Sequence, residues 1–421
     1  MDQDRLVQAN TEFARRVRES RVVLTAVRPA REVFPWLSPT TFLVPGPPLP
    51  ADVCVDGALR GAVMTCLLLE GAAGSPEEAH GLLDSGKVTL VPASDHGVVI
   101  PLVALVTGSM PVLEVVNEPF GTRGYSTINE GMGVTLRAGG CGEGVLQRLH
   151  WIRKELAPVL GAALERMGGL PLDEVFRWAL QMGDELHSRN VAATGVVIQK
   201  LLPHLAAAAS GAGLVDVCRF LTEDNPQFFL NFGIAAARAI LDAARDIPGS
   251  SLVTDLASNG LWFGLRVSGL GARWFTAPLD PAMLDEVTYF QGFSKADANP
   301  LIGGSFLMEA LGLGALVQVN APALLKSTAG LTIAQALALG EEMAGITWGR
   351  NPNFPVGALD FQGAPLGIDV IKVVERRCPP IMNFAVCSRH PGQGRIIGYG
   401  KSRAPLACFE AACRALQGEG P

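Results

Sequence analysis

The chain has 421 residues, with 34 Lys and Arg against 40 Asp and Glu, a formal net charge of −6, 48% hydrophobic residues and only 18% charged ones. A mean hydropathy of +0.28 excludes an intrinsically disordered chain, the acidic balance removes the footprint of a general nucleic-acid binder, and the length suits two or three domains. The 48 glycines and 29 prolines are roughly 18% of the chain against a usual ~12%, and their dispersal signals many tight turns inside a folded protein.

In chain order, Met1–Arg21 is charged and holds no apolar core of signal-peptide length, so a cytoplasmic protein is expected. Short β-branched runs at Val22–Val27, Val88–Val91 and Val112–Val116 alternate with amphipathic stretches such as Leu59–Leu69. The charge-free stretches Val33–Ala51 and Gly97–Leu113 are broken by prolines and fall short of the ~20 residues needed to cross a bilayer. Arg137–Gly144, R-A-G-G-C-G-E-G, then ends this unit. From Val145 to Ala209 the periodicity predicts three or four helices, with Val175, Trp178, Ala179, Met182 and Leu186 on one side and a link near Gly211–Gly213.

Asn225-Pro226 reads as an N-cap followed by proline at the first helical position, opening a helix over Gln227–Arg245. Two apolar runs follow, Ser251–Ala257 and Leu261–Gly269, the second with Phe263, Leu265 and Val267 on one face and Arg266 on the other. Later helices are predicted at Thr332–Thr347, Ile368–Arg376 and Pro405–Leu416, with a strand near Ile381–Cys387. The expected fold is α+β and multi-domain, with mixed α/β regions at 1–144 and 214–421 around a small all-helical middle segment at 145–213. Cys54, Cys66, Cys141, Cys218, Cys378, Cys387, Cys408 and Cys413 form no C-x-x-C pair, so buried thiols rather than a disulfide or zinc framework are expected.

Polar residues gather at turn-rich junctions. Ser94-Asp95-His96-Gly97 offers a histidine able to act as acid, base or oxyanion donor, or simply to cap a turn. The segment Asn117–Gly133 packs Glu118, Arg123, Asn129 and Glu130 among four glycines, which suits a carboxylate or phosphate, although no Walker or dinucleotide fingerprint is present. Gly183–Asn190 is expected to continue a helix, placing Asp184, His187 and Asn190 at three-residue spacing on one face. Further on come Ser258-Asn259-Gly260, Arg266, Asn299-Pro300, Glu309, Asp360, and Asp369, the last at a helix start where capping is the commonest use of Asp. There is no G-x-S-x-G elbow and no cysteine in an electropositive motif, so covalent catalysis has little support. Arginine, asparagine, histidine and glycine in loops suit a small planar anion that is polarised electrostatically.

The strings A-N-T-E-F, P-P-L-P-A-D-V-C-V-D-G-A-L-R-G-A-V, D-H-G-V-V-I-P, R-G-Y-S-T-I-N-E-G-M-G, G-D-E-L-H-S-R-N-V-A-A-T, S-N-G-L-W-F-G-L-R-V-S-G-L-G-A-R-W-F-T-A-P, A-N-P-L-I-G-G-S and A-L-D-F-Q-G-A-P-L-G-I-D run in order along nearly the whole chain. Together they resemble the bacterial family of the AllG-type subunit of oxamate carbamoyltransferase. The resemblance implies a three-part α+β architecture and a role in anaerobic allantoin or other ureide breakdown, where oxalurate and phosphate are interconverted with oxamate and carbamoyl phosphate. It also implies work beside two partner subunits. The chain departs from the family string at Leu301 and Gly304, where acids are expected.

On this reading His96, Glu118, Glu130, Asp184 and His187 are the catalytic candidates, and Arg123, Asn129, Asn190, Asn259, Arg266, Asn299 and Asp360 the substrate-binding ones. No metal and no cofactor is expected. The expected partners are a small planar anionic substrate and the two partner subunits, or further copies of the chain, with no nucleic acid and no membrane. An amide or ureide hydrolase, or a subunit without chemistry of its own, are the alternatives.

Overall fold

The first helix, Gln3–Glu19, repeats its small and aromatic residues at helical spacing and turns Ala9, Phe13, Ala14 and Val17 inward. In this computed structural model, which describes residues 3–50, 53, 55–326 and 330–418, that helix leads into the strand Val22–Pro29. The strand lies inside a four-stranded antiparallel sheet ordered Thr122–Thr127, Pro111–Asn117, Val22–Pro29, Leu170–Pro171. The short strands Thr41–Val44 and Thr89–Pro92 pair in parallel beside it.

The middle stretch is largely helical: Glu143–Trp151, Ala157–Met167, Leu172–Gln181 and Val191–Ala208. Three local expectations are corrected here. Leu170–Pro171 is a strand that pairs with Val23 and Leu24. Gly211–Arg219, expected as a link, is a helix. In Leu172–Gln181 the buried residues are Leu172, Val175, Phe176, Ala179 and Leu180, while Trp178 and Met182 are exposed, because the helix turns its Phe176 side to the sheet. Val191–Ala208 is long and apolar enough to cross a membrane by length and composition, yet it packs on Ala157–Met167 and Leu172–Gln181 through Ala193, Val197, Leu201 and Leu205.

The helix Phe229–Ala243 is buried at every residue except Asp242, as a helix apolar on all sides must be. It starts later than predicted, since Asn225 closes a π-helical turn and Phe228, not Asn225, precedes the first helical residue. On one side it packs on Thr122–Thr127 and Pro111–Asn117, and on the other on Val253–Asn259. That last strand belongs to a second four-stranded sheet ordered Ile302–Gly303, Val253–Asn259, Trp262–Val267, Phe275–Pro278. A three-stranded sheet (Val287–Tyr289, Ile396–Arg403, Ile381–Cys387) and the hairpin Thr347–Val356 with Gln362–Ile368 complete the α+β fold. Helices at Ile333–Gly345, Val370–Arg376 and Leu406–Leu416 match the predicted ones, and Asp369 caps its helix by accepting from Ile371 N.

One buried cluster runs from Ala9 and Leu24 through Leu160 and Phe176 to Phe232, Leu265 and Phe409, and a smaller one gathers Phe42, Leu59, Leu67, Leu105 and Leu149. The seven described cysteines are free thiols, five of them buried, and Cys54 lies outside the described residues.

Gly124 sets how closely strand and central helix approach: a Cβ there would lie 2.0 Å from the Ala235 carbonyl oxygen, and backbone cannot move aside cheaply. Gly124→Ala is therefore expected to cost about 1–3 kcal/mol, read from the urea midpoint, whereas Gly144→Ala, with nothing within 4 Å of its Cβ, should not destabilise.

Candidate functional site

The segment between the helices Leu172–Gln181 and Val191–Ala208 is a turn and not the helical continuation expected, so Asp184, His187 and Asn190 do not share a helix face. Leu186 adopts φ 71 within it and reverses the chain. Asp184 accepts from Ala193 N at 2.8 Å and from Arg189 Nη1 at 3.0 Å, anchoring the start of the following helix; burial pushes its carboxyl up to about 6. Asn190 donates to the His187 carbonyl at 2.8 Å and to Gln227 Oε1 at 2.9 Å. Gln227 in turn donates to the Ser188 carbonyl at 3.0 Å.

This turn sends His187 inward, where its Nδ1 lies 2.8 Å from Glu309 Oε1. Glu309 is fully buried on the short helix Leu307–Ala310 and also accepts from Ala315 N at 3.1 Å, while its Oε2 has no partner among the described residues. Gly314 keeps a left-handed turn beside the pair, and a Cβ on it would meet Glu309 Oε1 at 2.3 Å. Burial works against a charge on His187, but the charge and hydrogen bond of Glu309, with Glu185 adding, outweigh it and raise the imidazole above its ordinary value.

His187 opens on a cavity shared with Arg137, Ser188, Gln227, Ser305 and Tyr399, and walled by Leu102, Leu230 and Phe384. Arg137 sits in the turn Leu136–Ala138, whose Leu136 and Arg137 N–H groups both donate to the buried Glu130 carboxylate at 2.8 Å. Its Nη2 donates to the Gly131 carbonyl at 2.9 Å, and its buried Nε has no partner among the described residues. Burial pushes the Glu130 carboxyl up and the Arg137 guanidinium down, each opposed by the other's charge. Asn129 donates to the Gln227 carbonyl at 3.1 Å and to Asn231 Oδ1 at 3.2 Å, tying this loop to the central helix. The arrangement offers a buried guanidinium, an imidazole whose charged form Glu309 favours, and three hydroxyls within one largely apolar enclosure. It suits a small planar anion and proton transfer to it.

Of the predicted residues, His187 lines this cavity, and Glu130, Asp184, Asn129 and Asn190 brace its loops. The others lie elsewhere. His96 stacks on Trp36 with centroids 4.6 Å apart, and Glu118 is exposed in the turn after Pro111–Asn117. Arg123 is paired with Glu114, and Arg266 is buried, paired with Asp95 and placed 4.4 Å over the Trp274 ring. Asn259 and Asn299 line a separate pocket; the first holds its own turn at Leu261 and Trp262, and the second accepts from Ala58 N at 3.0 Å. Asp360 is exposed at φ 53 in a left-handed turn.

Arg137, Ser188, Gln227, Ser305 and Tyr399 were not among the predicted site residues, and Glu309 was noted only as a polar residue in an apolar region. A lone acid in F-L-M-E-A-L-G-L and a lone arginine before two glycines were the signals available. Removing the anion opposite His187 should release its proton more easily. Glu309→Gln is expected to lower the imidazole pKa, followed by NMR titration of the ring, and an unmoved midpoint would contradict the pairing.

Residues 88–305 match the family described as oxamate carbamoyltransferase subunit AllG. The chain is 38% identical over 414 residues to oxamate carbamoyltransferase subunit AllG of Escherichia coli (strain K12), covering 98% of this chain and 97% of that protein. It is 34% identical over 411 residues to the uncharacterized protein YahG of the same organism, covering 97% and 85%. The crystal structure of a conserved protein of unknown function from Enterococcus faecalis V583 superposes with a TM-score of 0.92 at 33% identity over 98% of both chains. With such identity sustained along almost its full length, the chain belongs to the family of AllG-type oxamate carbamoyltransferase subunits.

Proposed function

We propose that this chain is a carbamoyltransferase subunit that interconverts oxalurate and phosphate with oxamate and carbamoyl phosphate, acting with two partner subunits in cytoplasmic ureide breakdown. The observation that carries the reading is the cavity lined together by the buried Arg137 and by His187, whose Nδ1 is held by Glu309. The names and identities of the relatives support the substrate class.

Arg137 binds the oxalurate carboxylate, and the walls of Leu102, Leu230 and Phe384 flank a planar ureide. The Ser188 and Ser305 hydroxyls receive phosphate. A phosphate oxygen attacks the terminal ureido carbon, forming the new C–O bond, and the C–N bond to the oxamyl nitrogen breaks. Protonated His187 gives its proton to that departing nitrogen, which leaves as the amide of oxamate, and the proton carried in by hydrogen phosphate returns to the imidazole. Glu309 stabilises the imidazolium throughout. In the reverse direction His187 accepts the amide proton as nitrogen attacks carbamoyl phosphate.

Co-expressed complex supplied with oxalurate should release carbamoyl phosphate only when phosphate is present. His187→Gln is expected to lower kcat by about 10²–10⁴-fold, and Arg137→Met to lower kcat/KM by about 10²–10³-fold. Turnover that proceeds without phosphate would replace this reading with hydrolysis, and no turnover by the complex would remove it.

A further inference from the structure

The turn that carries His187 holds a second buried carboxylate, that of Glu185, which no step above uses. Its Oε2 accepts from His187 N at 3.1 Å, and its Oε1 from Ser188 N at 2.5 Å and Arg189 N at 2.7 Å. Three successive amides turned towards one carboxylate form an anion nest whose anion is supplied by the chain itself. The Glu185 carbonyl accepts from Gly314 N at 2.8 Å, and the next residue, Ala315, donates its N–H to Glu309. Glu185 thus ties the backbone beside the imidazole to the backbone beside its partner.

The clasp also has strain to hold. Leu186 stands at φ 71, a left-handed region that a leucine occupies only when the surroundings impose it. Leu186 N donates to the Arg189 carbonyl at 3.1 Å, so the strained residue is closed within the same turn. The charged groups facing the Glu185 carboxyl are His187 and Glu309, with the amides of His187 and Arg189 on its own turn.

We propose that Glu185 is a positioning residue: its ionised carboxylate clasps the His187–Arg189 turn, holding the imidazole against Glu309 and Ser188 at the cavity, and its protonation opens the clasp and stops the reaction. The inference rests on the reading of His187 as the acid and base of this cavity. Burial pushes the Glu185 carboxyl up to about 7, with the His187 charge opposing and Glu309 adding to the rise. A carboxylate that must be ionised makes activity fall as pH drops through about 7. The need for protonated His187 in phosphorolysis makes it fall again at higher pH. The expected profile of kcat is a bell.

The test is Glu185→Gln in the co-expressed complex, with kcat and KM for oxalurate measured across pH and the fold checked by circular dichroism. An amide keeps one acceptor oxygen but presents an NH₂ where His187 N or Ser188 N needs an acceptor. Expected are a fall in kcat of about 100-fold, a KM near that of the unmodified complex, and loss of the acidic limb with the alkaline limb retained. An acidic limb that persists at the same midpoint overturns the inference. Should Glu185→Gln fail to fold, Glu185→Asp is expected to move the acidic limb, and an unmoved limb overturns the inference equally. Unchanged turnover in His187→Gln would instead overturn the reading of the cavity, and this inference with it.

Discussion

A helix with no solvent-facing side, Phe229–Ala243, is the constraint on which the rest of the structure depends. Being enclosed, it must draw partners for its polar groups from its neighbours. Arg238, wholly buried, donates to Asp255 at 2.9 Å and to the Thr254 carbonyl at 3.0 Å, and pairs with Asp242 at 2.7 Å. Stripping one partner from such a buried pair typically costs about 3–5 kcal/mol, because a charge is then left in a medium that cannot solvate it. The helix therefore fixes where the strand Val253–Asn259 lies, and Gly124 fixes the sheet on its other side.

The N-terminal end of that helix is where structure becomes site. Asn231 donates to the Thr127 carbonyl at 2.8 Å and accepts from Asn129, Leu230 walls the cavity, and Gln227 just before the helix holds the His187 turn. A chain of amide side chains thus connects the central packing to the two loops that bear Arg137 and His187. Polar atoms elsewhere along this chain are mostly spent on backbone groups. Arg137 Nε and Glu309 Oε2 are among the buried atoms that find no partner among the described residues; Arg137 lines the cavity, and Glu309 backs the imidazole that does. Buried donors and acceptors left open in this way are costly unless a ligand or proton completes them.

The departures from family pattern at Leu301 and Gly304 sit near this region without altering its polar groups. Leu301 is buried, and its carbonyl accepts from Ser258 Oγ at 2.5 Å. Gly304 donates its N–H to the Ile100 carbonyl at 2.8 Å, which holds the strand end beside Ser305. The Leu301 side chain also packs in the main buried cluster, and a Cβ on Gly304 would lie 3.3 Å from Val99 Cγ1.

Local pattern was enough for the α+β class, for strands such as Val22–Pro29 and Ile381–Cys387, and for the capping role of Asp369, because period, turn residues and caps act within a few residues of chain. The sequence also marked His187, Glu130, Asp184, Asn129 and Asn190, since polar residues in an apolar stretch announce a partner or a ligand. Which partner each side chain meets was decided by tertiary structure alone. His187 meets an acid 122 residues away, and Arg266, expected to face substrate, is neutralised by Asp95 at a separation of 171. Arg123 is likewise paired with Glu114, whereas the Glu130 carboxylate beside Arg137 accepts from the backbone amides of Leu136 and Arg137. Charge and hydrogen bonding act over a few ångströms of space, and no spacing along the chain encodes which partner an arginine meets.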